Sequence, residues 1–309
     1  MKNPVVILGR WYSLWWKMRK YPGVYSLSDA CTQLRYLLQP QRLTEWELRQ
    51  WIRKELSIRS ESDGALEIEI KRNGLIFYWL GGLSGGLAMG VRQEMEPSHA
   101  HYYNVPPIHL TPASLVLDIG ACEGLFAIRV ARARQAARII CFEPSARTAS
   151  FLARAAEKNG VADRIKVEVF AVGRASGEVY FTDSESPEAN RVVSTAVGGA
   201  RKTPQVCLDD YCRDKQIRLG ATDLIKVDAE GADLDVIRGA ERIIREGAPQ
   251  IAVTTYHEPT HAGDLIEFLR SLQPGYRFRL KGVTCFRTPD SIRPVLLQAA
   301  LPLNARAGQ

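Results

Sequence analysis

Three chain segments hold residues whose types and spacing could do chemistry together. Leu115-Val-Leu-Asp-Ile119 reads as a strand that runs into Gly120-Ala-Cys-Glu-Gly124 and then a helix. Small residues at such a bend let the chain turn tightly and bring backbone N–H groups close to a ligand. Asp118, at the strand end, is expected to hold the bend and, directly or through water, to face the cationic amino acid part of a ligand. A dinucleotide site would need G-x-G-x-x-G, so that a pyrophosphate can rest on the helix N-terminus. The spacing here is D-x-G-x-x-x-G, with Glu123 where a diphosphate would lie. A carboxylate there repels phosphate and suits a ligand that carries a sulfonium cation instead, S-adenosylmethionine. The next strand ends Ile140-Cys-Phe-Glu143-Pro144, where an acid can accept hydrogen bonds from both ribose hydroxyls. The expected cofactor set is Asp118, Gly120, Ala121, Cys122, Gly124, Glu143, Pro144 and Asp228, with Phe170 and Ala171 beside the adenine. The competing reading is an ordinary strand–helix turn next to a surface glutamate.

The third segment is Lys226-Val-Asp228-Ala-Glu230-Gly231-Ala-Asp233, at the end of a later strand. Asp228 and Glu230 could orient an acceptor hydroxyl or take its proton. They could also coordinate Mg²⁺, which favours hard carboxylate oxygens, or Glu230 could cap the following helix. His257 follows Thr254-Thr-Tyr256 at another strand end, and an imidazole can take a proton near neutral pH. Asp228, Glu230 and His257 are therefore the candidate catalytic residues. His99, His101 and His109 lack partners at metal-ligand spacing and read as loop histidines, so no metal centre is assigned.

Those residues need strands to place them. From Ser114 onward, short apolar runs at 114–118, 138–142, 165–171, 223–228 and 250–256 alternate with helical stretches near 123–134, 146–159, 232–245 and 261–272. That alternation indicates an α/β fold with a doubly wound, mostly parallel sheet. Segments 177–182 and 204–208 read as small extra strands, and Arg277–Leu280 with Pro294–Leu297 as a closing antiparallel pair. Segment 183–203 is long and polar, either a lid offering Asn190, Arg191, Ser194 and Thr195 to a hydroxyl-rich acceptor or a disordered insertion.

Residues 1–105 have a different texture and read as an N-terminal α+β extension, ahead of a domain at 106–303 and a disordered tail at 304–309. A helix is expected near 28–38, and another from Thr44, with Glu47 completing a capping box. Leu66-Glu-Ile-Glu-Ile70, Asn73-Gly74 and Leu75-Ile-Phe-Tyr-Trp79 form a hairpin signal. Trp11, Tyr12, Trp15 and Trp16 lie among Lys17, Arg19 and Lys20. This stripe is expected to pack on the main body, with peripheral membrane contact by residues 11–20 as the alternative.

Composition sets outer limits. The chain has 309 residues, 46% hydrophobic and 24% charged, enough for a sizeable core. Its formal charge of +7 admits an anionic partner but more commonly describes a solvated surface. Six scattered cysteines form no C-x-x-C pair, which fits a reducing cytoplasm, and no apolar run reaches the length of a membrane span.

Four blocks in order resemble the FkbM-type methyltransferases: Val116–Ala121, Phe142-Glu-Pro144, Cys207-Leu-Asp-Asp-Tyr211 and Asp223–Ala232. The similarity runs over about 113–280. It implies a class I, Rossmann-like methyltransferase that uses S-adenosylmethionine, commonly to methylate hydroxyls of sugars or natural products. It also strengthens His257, because the family tends to carry Tyr-His there. Cys122 stands where such proteins often have Asn, and Asp233 where Glu is more usual. A nucleic-acid methyltransferase and a non-catalytic cofactor-binding module are the rival readings. The first would usually show an Asn/Asp-Pro-Pro-aromatic motif where this chain has Asp-Ala-Glu-Gly.

Overall fold

Five apolar runs become parallel strands at the centre of the molecule. A computed structural model describes residues 4–21, 24, 41–61, 63–83, 85–182, 190–193, 195, 200–285 and 292–303. The strands are β4 (Leu115–Ile119), β5 (Arg138–Phe142), β6 (Ile165–Glu168), β11 (Leu224–Val227) and β12 (Gln250–Thr254). Every residue of β11 and β12 is buried, as expected for strands covered on both faces. With β13 (Arg277–Cys285) and β14 (Ile292–Ala300) they form one seven-stranded sheet in the order β13-β14-β12-β11-β4-β5-β6. β14 lies between β12 and β13 and runs antiparallel to both. The order reverses at β4, whose neighbours β5 and β11 belong to opposite directions of the winding. A crevice opens beyond the carboxyl ends of strands at such a point.

Two apolar clusters flank this sheet. One gathers Val236, Ile237, Ile244, Leu265 and Leu269 from α7 (Asp233–Arg238), α8 (Glu241–Gly247) and α9 (His261–Leu272), with Leu208 and Tyr211 of α6 (Leu208–Asp214). The other joins Phe126 and Ile128 of α4 (Leu125–Arg132) and Phe151 and Leu152 of α5 (Ala146–Lys158) to the N-terminal part of the chain. There α2 (Gln41–Glu55), α3 (Gly85–Met95) and a three-stranded sheet of β1 (Leu56–Ser60), β2 (Leu66–Ile70) and β3 (Leu75–Trp79) contribute Leu48, Ile68, Phe77 and Leu87. The hairpin pairs Leu66 with Trp79 and Ile70 with Leu75, as its alternation indicates. Asn159, just past α5, exchanges two hydrogen bonds with the backbone of Ile76 and pins β3 to the main body.

Several expectations need correction. The run 232–245 is two helices: α7 ends at its C-cap Gly239, which packs too close to the Gly173 carbonyl for any side chain, and α8 starts where the Asp209 carboxylate accepts from the Arg242 and Ile243 amides. The run 165–171 is broken: β6 ends at Glu168, and β7 (Ala171–Val172) leaves for a four-stranded sheet with β10 (Arg201–Val206), β8 (Gly177–Phe181) and β9 (Val192–Val193). α2 begins at Gln41, so Thr44 lies inside the helix rather than at its cap. α1 (Pro4–Arg19) leaves Tyr12, Trp15 and Trp16 exposed instead of packing them. The helix expected near 28–38, Ser194 and the tail at 304–309 lie outside the described residues.

Candidate active site

The crevice at β4 contains a cavity of about 290 Å³. Gly120, Ala121, Cys122 and Glu123 of the bend form one wall, with Glu143, Pro144, Phe170 and Ala171 beside them and Asp228 and Glu230 opposite. The bend is built by close backbone contact. Gly120 has φ +69° and lies so near the β11 end that a Cβ there would fall 1.9 Å from the Asp228 carbonyl oxygen. The expected close approach is thus between two parts of the chain itself.

Four N–H groups of the bend are satisfied internally. Those of Gly120 and Ala121 donate to the Phe142 carbonyl at 3.1 and 3.2 Å, and that of Gly124 donates to Ala121 at 2.8 Å. The N–H of Cys122 donates to Glu143 Oε2 at 3.1 Å, while Ser145 N–H donates to Oε1 at 2.9 Å. Glu143 therefore points at the bend and tops the same cavity. Such a loop offers phosphate no open row of N–H donors. A carboxylate has about four lone-pair sites, so Glu143 can accept from hydroxyls as well as from these two amides.

Two residues of the expected cofactor set lie elsewhere. Asp118 is fully buried and does not reach the cavity, because its cross-strand neighbour in the β4–β11 register is Lys226, whose Nζ lies 2.8 Å from its carboxylate. Burial opposes the charge on Lys226, but the carboxylates of Asp118, Asp228 and Glu94 outweigh it and hold the ammonium protonated. Lys226 also donates to the Gly120 carbonyl at 3.0 Å. Asp118 thus holds the bend through a lysine and lies behind the cavity wall. Gly124, at φ +77°, is likewise outside the lining; its missing side chain makes room for Leu152, which a Cβ would meet at 2.4 Å.

On the opposite wall, Asp228 accepts from Tyr103 Oη at 2.8 Å, and Thr254 Oγ1 lies 3.2 Å from its other oxygen. Burial and the adjacent Asp228 push Tyr103 far above its ordinary value, so it remains a donor. Behind Glu230 lies a chain of charges. His257 Nε2 is 3.2 Å from Glu230 Oε2, and Nδ1 is 2.7 Å from Asp233 Oδ2. Asp233 is fully buried and also accepts from the Ala229 and Gly231 N–H groups and from Thr254 Oγ1. Burial opposes the charge on His257, but the flanking carboxylates overcome it and raise its pKa to about 10. The imidazole is a cation at neutral pH, outside the cavity lining, and is not placed as a free proton acceptor.

Glu230, at φ +45°, does not cap α7. The N-cap position is Ala232, and the Asp233 carboxylate takes the preceding amides. Mg²⁺ coordination by Asp228 and Glu230 is one alternative from the sequence, but the cluster of possible ligands among the described residues does not include Glu230. Ligand atoms of Asp228, Asp233 and His257 lie within 4.8 Å of one another, but the imidazolium already neutralises Asp233.

Residues 118–280, more than half the chain, match the family model for the methyltransferase FkbM domain. The chain belongs to the FkbM methyltransferase family. It is 28% identical over 174 residues to 2-O-methyltransferase NoeI of Sinorhizobium fredii, covering 51% of this chain and 69% of that protein. It is 27% identical over 198 residues to methyltransferase sdnD of Sordaria araneosa, covering 55% and 75% respectively. A crystal structure of methyltransferase FkbM from Methylobacillus flagellatus KT aligns over 87% of this chain and 60% of its own, at 19% identity and a TM-score of 0.46.

Part of this methyltransferase's cavity went unread in the sequence. Met89, Gly90, Gln93 and Glu94 of α3, with Phe77 and Trp79 of β3, line it from the N-terminal side, and Tyr103 reaches it from the linker. Glu94 is buried beside Arg129, and desolvation lifts its pKa to about 7. Asn190 and Arg191 also line the cavity, whereas Thr195 is exposed. His99 and His101 are stacked at 5.6 Å in turns, and burial lowers both, to about 3 and about 4. Lys226 had a visible signal: a charged residue inside the otherwise apolar run Leu224-Ile-Lys-Val227 needs a buried partner.

Proposed function

We propose that this enzyme transfers a methyl group from S-adenosylmethionine to a hydroxyl of a sugar, glycolipid or secondary metabolite, on a class I, Rossmann-like methyltransferase domain. The observation that carries the reading is the Glu143 carboxylate, held by the Cys122 amide over the bend in one cavity. Glu143 would hold the ribose hydroxyls, and Phe170 and Ala171 would border the adenine. Of the five acids that line the cavity, Glu94 titrates near pH 7 beside Arg129 and Glu230 is paired with the His257 cation, which leaves Glu123, Glu143 and Asp228 against Lys226 and Arg191. That balance favours a cationic ligand over a diphosphate or a nucleic-acid backbone, even though the whole chain is basic.

The cofactor, when bound, supplies a methyl group already activated on a positive sulfur. The protein's task is alignment of the acceptor oxygen and removal of its proton. Asp228, oriented by Tyr103, would accept a hydrogen bond from the acceptor hydroxyl. Glu230 faces the cavity and is partly exposed, and burial raises its pKa, which makes its carboxylate a stronger base. It would take the proton as the acceptor oxygen replaces sulfur on the methyl carbon. His257 and Asp233 would keep its carboxylate in place. The name of NoeI, a 2-O-methyltransferase, supports oxygen as the acceptor atom.

Radiolabelled methyl transfer into a metabolite extract, with mass analysis of the product, tests this reading. A labelled methyl ether is expected. Label confined to nucleic acid, or to nitrogen, would overturn it.

A further inference from the structure

Helix α1 carries an apolar stripe that the fold leaves in solvent. Val5, Leu8, Tyr12, Trp15 and Trp16 follow helical spacings of three and four, so they share one face. Their exposures are 73%, 68%, 60%, 40% and 60%. A helix of a globular protein normally turns such a stripe inward, and exposed stripes of this kind mark contact surfaces. Arg19 continues the same face, with its guanidinium 5.0 Å over the Trp15 ring and 5.9 Å from that of Trp16. Residues 1–28 hold Lys2, Arg10, Lys17, Arg19 and Lys20 and no Asp or Glu.

Charge decides which occupant fits. A second copy packed stripe against stripe in a two-fold dimer would press two cationic segments together. A surface of anionic phospholipid neutralises them. Tryptophan and tyrosine favour the membrane–water boundary, and Lys and Arg extend to headgroups. Among the described residues no helix is long and apolar enough to cross a membrane, so α1 would lie in the plane of the surface. The segment after α1 is tied to the body where Leu280 N–H donates to the Val24 carbonyl at 2.7 Å. We infer that α1 docks the enzyme on an anionic lipid surface through Leu8, Tyr12, Trp15, Trp16 and Arg19.

Flotation of the full chain with phosphatidylcholine vesicles, with and without phosphatidylglycerol, at low and high salt, tests this. Recovery is expected with the anionic vesicles only and should fall as salt rises. Trp16→Glu or Leu8→Glu should weaken vesicle binding about tenfold or more, and Arg19→Ala about fivefold. Circular dichroism of each variant separates lost docking from lost folding, and the wild-type comparison decides alone if a variant misfolds. Absence of flotation with anionic vesicles, or equal flotation with neutral ones, overturns the inference. So does a concentration-dependent dimer in sedimentation that Trp16→Glu dissolves.

Discussion

Replacing His257 by glutamine should remove much of the alkaline sensitivity of the fold. In the native state the ring is 2.7 Å from Asp233 and 3.2 Å from Glu230, and its pKa rises from 6.5 to about 10. The folded protein binds this proton more tightly than the unfolded chain. The stabilisation is therefore complete below pH 6.5 and is lost as pH climbs through about 10. A fully coupled proton is worth about 1.4 kcal/mol per pH unit in that window, or about 4 kcal/mol over three units. Glu230 is 37% exposed and its share is screened, so about 2–4 kcal/mol is the expected range. The assay is urea unfolding followed by tryptophan fluorescence, near pH 6.5 and about three units higher, for wild type and His257→Gln. Other titrating groups act in both proteins and cancel in the difference. The wild type should lose that much more stability than the variant over the interval. Equal losses would mean the ring is neutral and the charge chain behind Glu230 does not exist. The methylation rate supplies a second reading, because a free imidazole base would add a rise near pH 6.5 that His257→Gln abolishes.

Three other outcomes follow from the site. Gly120→Ala places a Cβ 1.9 Å from the Asp228 carbonyl at φ +69°, so it should cost more than about 4 kcal/mol or prevent recovery of folded protein; an unchanged melting temperature would contradict the packing described. Lys226→Met strands Asp118 without its counter-charge and should destabilise by about 3–5 kcal/mol in urea unfolding. Adding Asp118→Asn should restore part of that loss, and no recovery would mean the pair is not the cause. Glu230→Gln should lower kcat about a hundredfold while leaving adenosylmethionine affinity unchanged, and a kcat within threefold of wild type would place the base elsewhere.

The sheet and the bend were legible because local patterns specify them. Apolar runs of strand length separated by helices, and a glycine turn after Asp118, are properties of neighbouring residues. What stayed hidden depends on distant ones. The helix starting after Gly239 is capped by Asp209, about thirty residues earlier in the chain, and nothing in the sequence around Gly239 records that contact. Asp118 has a strand-end position typical of a ligand contact, but its partner lies 108 residues away on β11. The same holds for Asp233, read as a minor departure from a family pattern and found to collect two amides, a hydroxyl and an imidazole. The α3 wall was unreadable for another reason: an amphipathic helix shows which face is apolar but not which cavity it covers. Glu143 and the bend lie together because adjacent parallel strands bring their ends together by register alone.

Calorimetric titration with adenosylmethionine, adenosylhomocysteine and NAD, on wild type and Glu143→Ala, bears most directly on the proposed activity. The wild type should bind the first two and not NAD. Loss of the carboxylate should weaken both by about thirtyfold, the value of roughly 2 kcal/mol of charge-assisted hydrogen bonding. Binding of NAD alone, or full affinity in a folded Glu143→Ala protein, would contradict a nucleoside held between that carboxylate and the glycine bend.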